Sequence, residues 1–234
     1  MTFFGRLSAR VGARRRIAVA VATTLVLAGA TGTAELVARN KIGERFATAA
    51  GTKLGKAPDV DLGGTPALWQ LARGSFPNVA LTANGVTVRR MKGLDIDARL
   101  RQVRRSSHGA SVRSSTVYVD VDATSLASDT LGALGGVVVP DPATGRLIVH
   151  LDGAGALTVP ITPTLRGDTI QAVPGRPTFN GTALPTALAG KITDKAGRTV
   201  DLTDLPLELQ PRQLAVTDAG LRLTLRGGPA RLGT

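Results

Sequence analysis

Cysteine is absent from all 234 residues. That excludes disulfide staples, thiol catalysis and thiolate metal sites together. Histidine is nearly absent: His108, in the loop Ser106-Ser107-His108-Gly109, and His150, at an outward strand position, stand alone. With no H-x-x-x-H or H-E-x-x-H spacing, zinc would lack both of its usual ligand types. No serine occupies a G-x-S-x-G elbow. The glycines Gly132, Gly135 and Gly136, and likewise Gly153 and Gly155, fail the G-x-G-x-x-G pattern and read as turns. No catalytic set, metal site or cofactor is therefore expected. Aromatics are scarce as well, with Trp69, Tyr118 and five phenylalanines in the whole chain, so the core must be aliphatic. Tyr118 alone lies near the basic segment to stack a base, which makes nucleic acid the poorest partner.

Acidic residues are missing from the first 34 positions, where Arg6, Arg10, Arg14, Arg15 and Arg16 precede an uncharged run from Ile17 to Ala34. This is the layout of an export signal. As a helix those eighteen residues would span roughly 27 Å, just under the roughly 30 Å of a bilayer core. Residues 1–34 therefore read as a cleaved signal peptide or a retained membrane anchor, with the positive-inside bias sending the rest outward. The expected location is the outer face of the cytoplasmic membrane or the cell envelope, and residues 35–234 suffice for a single domain with its own core.

Beyond the leader, 24 basic side chains face 17 acidic ones, an excess of about +7. Arg89, Arg90, Lys92, Arg99, Arg101, Arg104, Arg105 and Arg113 crowd one segment, opposed only by Asp95 and Asp97. Such a concentration suits an anionic membrane surface or envelope polymer, or serves only as a solvated face.

From Ala34 to Leu54 the apolar residues Ala34, Val37, Ala38, Ile42, Phe46, Ala49, Ala50 and Leu54 recur at three- and four-residue steps, which predicts an amphipathic helix. After Pro58 the period changes to two. Leu94, Ile96, Ala98 and Leu100 alternate with Asp95, Asp97, Arg99 and Arg101, and Val117, Val119 and Val121 alternate with Tyr118, Asp120 and Asp122. These are strands with one wet face. The pattern continues through Leu147 to Leu151, Leu157 to Leu165 and Leu221 to Leu225, with a hairpin turn at Asp218-Ala219-Gly220. Pro160 and Pro163 demote their run to an edge or a bend. Shorter helices are expected at Pro66 to Arg73, Ser125 to Leu134 and Pro185 to Lys191. The fold class is α+β, a long N-terminal amphipathic helix against a largely antiparallel sheet whose apolar face needs a cover.

The pairs Asp95/Asp97 and Asp120/Asp122 project to one face, as calcium ligands or a glycosidase pair would, but a wet strand face requires polar residues there in any case. Trp69 reads as a plug for one end of the core or as an interfacial anchor. The aliphatic sheet face is ordinary packing or a bed for an acyl chain, where burial yields about 0.8 kcal/mol per methylene.

Several short motifs, taken in order, resemble one family. They are A-E-x-V-A at Ala34, Glu35, Val37 and Ala38, then G-x-P-x-L-x-Q-L at Gly64, Pro66, Leu68, Gln70 and Leu71. A strand follows to Asn84-Gly85-Val86, and the chain closes on D-x-G-L-x-L-x-L-x-G at Asp218, Gly220, Leu221, Leu223, Leu225 and Gly227. The order is similar to the LmeA-like phospholipid-binding proteins of actinobacteria. The family commonly carries a large aromatic before the proline, where this chain has Thr65, and another near Ala67. The resemblance implies a curved sheet wrapping a helix around an apolar cleft, as in tubular lipid-binding folds. It further implies a non-enzymatic envelope protein that binds phospholipid in the building or maintenance of envelope lipids. On that reading acyl chains lie against Val37, Ile42, Phe46, Leu68, Trp69, Leu71 and Phe76. Anionic headgroups face Arg89, Arg90, Lys92, Arg99, Arg101, Arg104 and Arg105. The competing expectations are an envelope scaffold that grips an anionic wall polymer or partner protein through the basic face, and a hydrolase built on the paired aspartates.

Overall fold

The computed structural model describes residues 33–51, 54–88, 91–106, 109–131, 136–151, 157–203 and 205–232. The expected leader lies outside them but for its last two residues, as do Arg89, Arg90 and His108. Residues 33–51 are helical (α1). There follow β1 (Asp59–Asp61), α2 (Ala67–Arg73), β2 (Ser75–Val88), β3 (Met91–Ser106), β4 (Gly109–Val112), β5 (Ser114–Asp122) and α3 (Ala123–Leu131). The middle of the chain supplies β6 (Val137–Asp141), β7 (Arg146–Leu151), β8 (Leu157–Arg166), β9 (Thr169–Pro174), β10 (Thr178–Phe179) and β11 (Thr182–Ala183). It closes with α4 (Thr186–Ala196), β12 (Arg198–Asp201), a 3-10 turn at Pro206–Glu208, β13 (Leu209–Thr217), β14 (Gly220–Gly227) and β15 (Ala230–Leu232).

The molecule is mostly antiparallel sheet with a few helices, but the strands form two sheets rather than the one expected. The first runs β1-β2-β3-β5-β14-β13, with β4 joining β3 to β15; the second runs β11-β10-β8-β7-β6, with β9 joining β8 to β12. The division follows from the late hairpin β13–β14. Its second strand takes the free side of β5 along eight paired residues, leaving β6 to β12 to pair among themselves. The sheets meet through a shared aliphatic cluster: Val138, Leu147, Val149, Val159 and Ile161 of the second pack with Val216 and Leu221 of the first and with Ala123, Leu126 and Ala127 of α3.

β8 corrects the reading of Pro160 and Pro163, for it is an interior strand. Pro163 is tolerated because β8 has a ladder partner on one side only there, and Pro160 lies between the β10 and β9 pairings, where it uses only its carbonyl, accepting from the Gly175 N–H at 2.7 Å. Pro160 pairs with Ile148 of β7 in the gap between β10, which pairs through Thr158, and β9, which begins at Ile161. Pro163 pairs with Ala172 of β9, beyond the last β7 pair at Ile161. The hairpin at Asp218-Ala219 forms as the residues foretell, and the third short helix runs on to Ala196.

Candidate functional site

The register of the first sheet sorts its residues into rows. Leu81, Ala98, Val117, Leu225 and Pro211 lie opposite one another across β2, β3, β5, β14 and β13. The next row is Ala83, Ile96, Val119, Leu223 and Leu214, and the next Val86, Leu94, Val121, Leu221 and Val216. Fifteen consecutive positions thus carry no polar side chain. The intervening rows are Asp95-Asp120-Arg222, Asp97-Tyr118-Thr224 and Arg99-Thr116-Arg226. Because strand side chains alternate between faces, these three rows make one face aliphatic and the intervening rows make the other polar and ionic.

Burial is uneven along the aliphatic face. Toward α2, Val79, Leu100, Ser115 and Leu209 are all closed, at 1, 4, 3 and 9% exposure. Two and three rows further on, Ala83, Val86, Leu94 and Leu223 are buried, but Ile96, Val119, Val121, Leu214, Val216 and Leu221 keep solvent-accessible surface, although β5 and β14 are interior strands. Covers reach these rows from two sides. Leu54 and Met91 pack on Ala83, Val86 and Leu94, while Ile170, Val200, Leu202 and Leu205 pack on Ala98, Val117, Leu223 and Leu225. Ile96 and Val119 touch both groups. The arrangement is an aliphatic floor between two apolar flanks.

The expected acyl contacts divide. Ile42 and Phe76 are buried and Phe46 partly so, in one cluster with Leu62, Val79, Leu100 and Val103; the rings of Phe46 and Phe76 meet edge to face at 5.4 Å. Val37, Leu68, Trp69 and Leu71 are not among them and stand in solvent, Trp69 at 54% exposure. Trp69 therefore does not plug the core. Gln70 takes the inward place instead, donating from Nε2 to the Leu62 and Thr65 carbonyls at 3.1 and 2.8 Å. α2 has no side-chain cap of its own. The Ala67 and Leu68 N–H groups donate instead to the two carboxylate oxygens of Glu35 on α1. Those bonds, Ala67's first and Leu68's second, hold the Glu35 carboxyl below the usual carboxylate range. Arg39 adds a bond to the Thr65 carbonyl and lies within 4.0 Å of Asp61.

The expected headgroup residues are spread along β3 rather than gathered. Lys92 stands near its start and Arg104 and Arg105 at its end, roughly 40 Å away at about 3.3 Å per residue. Arg99 lies on the ionic face, 3.4 Å from Asp97 and 5.8 Å from the Tyr118 ring; Arg101 follows on the same strand. Arg104 lines a shallow depression of about 360 Å³ with Gln102, Ser111, Arg113 and Arg231. Nothing local in the chain signals that Arg231 joins it. The pairing of β15 with β4 sets Arg231 beside Ser111, which faces Arg104.

Three of the four paired aspartates have hydrogen-bond partners that account for them, whereas the buried Oδ1 of Asp97 has only the Arg99 ion pair. Asp95 accepts from the Gly85 N–H at 2.8 Å, and Asp122 accepts from the Ser125 N–H at 2.6 Å where α3 begins. Asp120 takes two bonds from Arg222, at 2.7 and 3.1 Å, which raise the arginine above its ordinary value. Among the described residues no three histidine or carboxylate side chains gather as a metal site, and no helix is long and apolar enough to cross a membrane.

A family model described as LmeA-like phospholipid-binding matches residues 29–226, from before α1 to the last residue but one of β14. No curated protein and no solved structure matches the chain.

Proposed function

The chain belongs to the LmeA-like phospholipid-binding family, and from that premise we propose that it holds the acyl part of a phospholipid on the aliphatic face of its first sheet without catalysing a reaction. One observation carries this reading. The central residues Ile96, Val119 and Val121 keep accessible surface in the middle of an unbroken apolar ladder, where a closed core would bury them most completely. An acyl chain laid along that floor removes apolar surface from water, at about 0.8 kcal/mol per methylene. Leu54 and Met91 form one flank of that floor, and Ile170, Val200, Leu202 and Leu205 form the other. The bonds made by Asp95, Asp120 and Asp122 give those carboxylates structural work and count against a hydrolase.

The protein acts outside the cytoplasmic membrane, in the assembly or maintenance of envelope lipids. Support for this comes from the five arginines and the uncharged run that precede α1. The excess of basic side chains favours an anionic lipid.

Native mass spectrometry of the chain expressed in a bacterial host, followed by lipid extraction, tests the reading. A phospholipid present at stoichiometric ratio is the expected result. A clean unliganded mass that persists after incubation with phospholipid vesicles overturns it.

A further inference from the structure

A surface helix ordinarily turns its apolar side chains to the core and its polar ones to water. α2 does the reverse. It buries Ala67 and Gln70 and exposes Leu68, Trp69 and Leu71 at 41, 54 and 43%. Burying an amide in place of an indole carries a desolvation cost, offset here by the bonds to Leu62 and Thr65. Leu36 and Val37, 63 and 56% exposed, stand on the first turn of α1, which Glu35 ties to the start of α2. Half of the ten large exposed hydrophobic residues among the described residues thus lie on these two linked segments. A grouping of that kind marks an interaction surface.

Charge identifies the occupant. Arg73 lies over the Trp69 ring at 4.2 Å. The Arg105 N–H donates to the Gly74 carbonyl at 2.8 Å, and Arg104 faces Ser75 where β2 leaves α2. None of these three arginines enters an ion pair among the described residues. The nearby carboxylates are committed, Glu35 to the α2 N–H groups and Arg39, and Asp61 to the Gly63 N–H and Arg39. An apolar centre holding a tryptophan, beside unpaired arginines, matches a bilayer interface with anionic headgroups. The uncharged run that ends at Ala34 joins the chain next to Glu35, the residue that secures α2.

We infer that α2 and the first turn of α1 are the surface by which the protein rests on an anionic phospholipid bilayer. The inference deepens the lipid-binding reading, on which it rests, by naming the end that meets the membrane.

Trp69 is the only tryptophan, so the full chain carries its own reporter. The measurement is Trp69 emission of the full chain with vesicles of phosphatidylcholine alone or mixed with phosphatidylglycerol. With phosphatidylglycerol present, emission shifts to the blue, acrylamide quenching falls and brominated acyl chains quench. Replacing Leu68 and Leu71, both exposed, by Glu leaves Trp69 in water. Changing Arg73, Arg104 or Arg105 to Gln raises the vesicle concentration needed for half the shift, about fivefold per residue.

A spectrum unchanged by phosphatidylglycerol vesicles that sediment with the chain overturns the inference. So does a shift on concentrating the chain without vesicles, which assigns the face to a second copy. Lipid extraction from the same preparation separates the two readings. Bound phospholipid with a wet Trp69 refutes the docking surface alone. A shifted Trp69 in a lipid-free chain upholds the docking surface and refutes the internal lipid.

Discussion

Gln70→Met is the substitution that most directly tests how the α2 end is built. Methionine keeps the length and nearly the volume of glutamine, so packing changes little and the hydrogen bonds are isolated. Gln70 is 1% exposed and donates to two carbonyls from one nitrogen. A net contribution of about 1 kcal/mol per bond is ordinary, and a buried acceptor left without a donor costs about 1–3 kcal/mol. The Leu62 carbonyl meets that second condition; the Thr65 carbonyl keeps Arg39 at 3.4 Å. Against this, the buried Oε1 of Gln70 has no partner among the described residues, so removing it returns about 1 kcal/mol of desolvation. The balance is a loss of about 2 kcal/mol, or roughly 4–8 °C in Tm for a domain of this size.

Thermal unfolding followed by circular dichroism measures the Tm change, and a urea titration with unchanged slope confirms that only stability moved. Gln70→Glu is the companion. A carboxylate turned toward two carbonyl oxygens costs more at neutral pH than Met does, and acidification restores part of the loss by protonating it. A Gln70→Met protein that melts at or above the wild-type temperature refutes the reasoning, because the two carbonyls would then have no need of the amide.

Four further predictions concern the aliphatic floor and the charges around it. Val119→Phe fills the open row, so co-purified phospholipid falls while stability changes little; a loss of about 1–3 kcal/mol with lipid content unchanged would mean the row is already closed. In contrast Leu94→Ala, at a residue 2% exposed, costs about 2–5 kcal/mol by urea unfolding. The Glu35 carboxyl is held low in the folded state, by the Ala67 N–H first, so its contribution is complete above the ordinary carboxylate range and is lost as pH falls through the lowered value. The melting advantage of wild type over Glu35→Gln therefore shrinks on acidification, and a difference independent of pH refutes the capping role. Asp120→Asn breaks a pair whose side chains are 34 and 53% exposed, worth about 0.2–1 kcal/mol after solvent screening. Lipid content stays constant; its loss at unchanged stability would return the paired aspartates to the functional site.

The strands β3, β5 and β14 are legible in the sequence because each has one wet face, and alternation survives wherever water lies on one side only. The division into two sheets is not legible. It depends on β14 pairing with β5 about a hundred residues earlier, and neither strand carries a local mark of its partner. Trp69 and Gln70 show a different limit. Hydrophobicity ranks the indole for the interior, but the carbonyls of Leu62 and Thr65 need donors, and only the amide supplies them. Pro160 and Pro163 mislead because a proline excludes a strand only from positions bonded on both sides. The inward places of Ile42 and Phe46 are legible from helical spacing. Arg231 was beyond reach, since three strands must pair before it stands near Arg104.

The late arrival of β14 also governs the order in which the molecule can be made. β5 is finished by Asp122, yet its second neighbour is not available until residues 220–227 have appeared. Any process that delivers the chain from its N-terminus, whether synthesis or threading through a pore, therefore leaves a long unpaired strand flank waiting from Asp122 until Gly220. Until then the aliphatic rows lack two of their five strands and cannot close. The chain stays loose, and dependent on whatever shields it, until residues 220–227 are free to complete the central sheet.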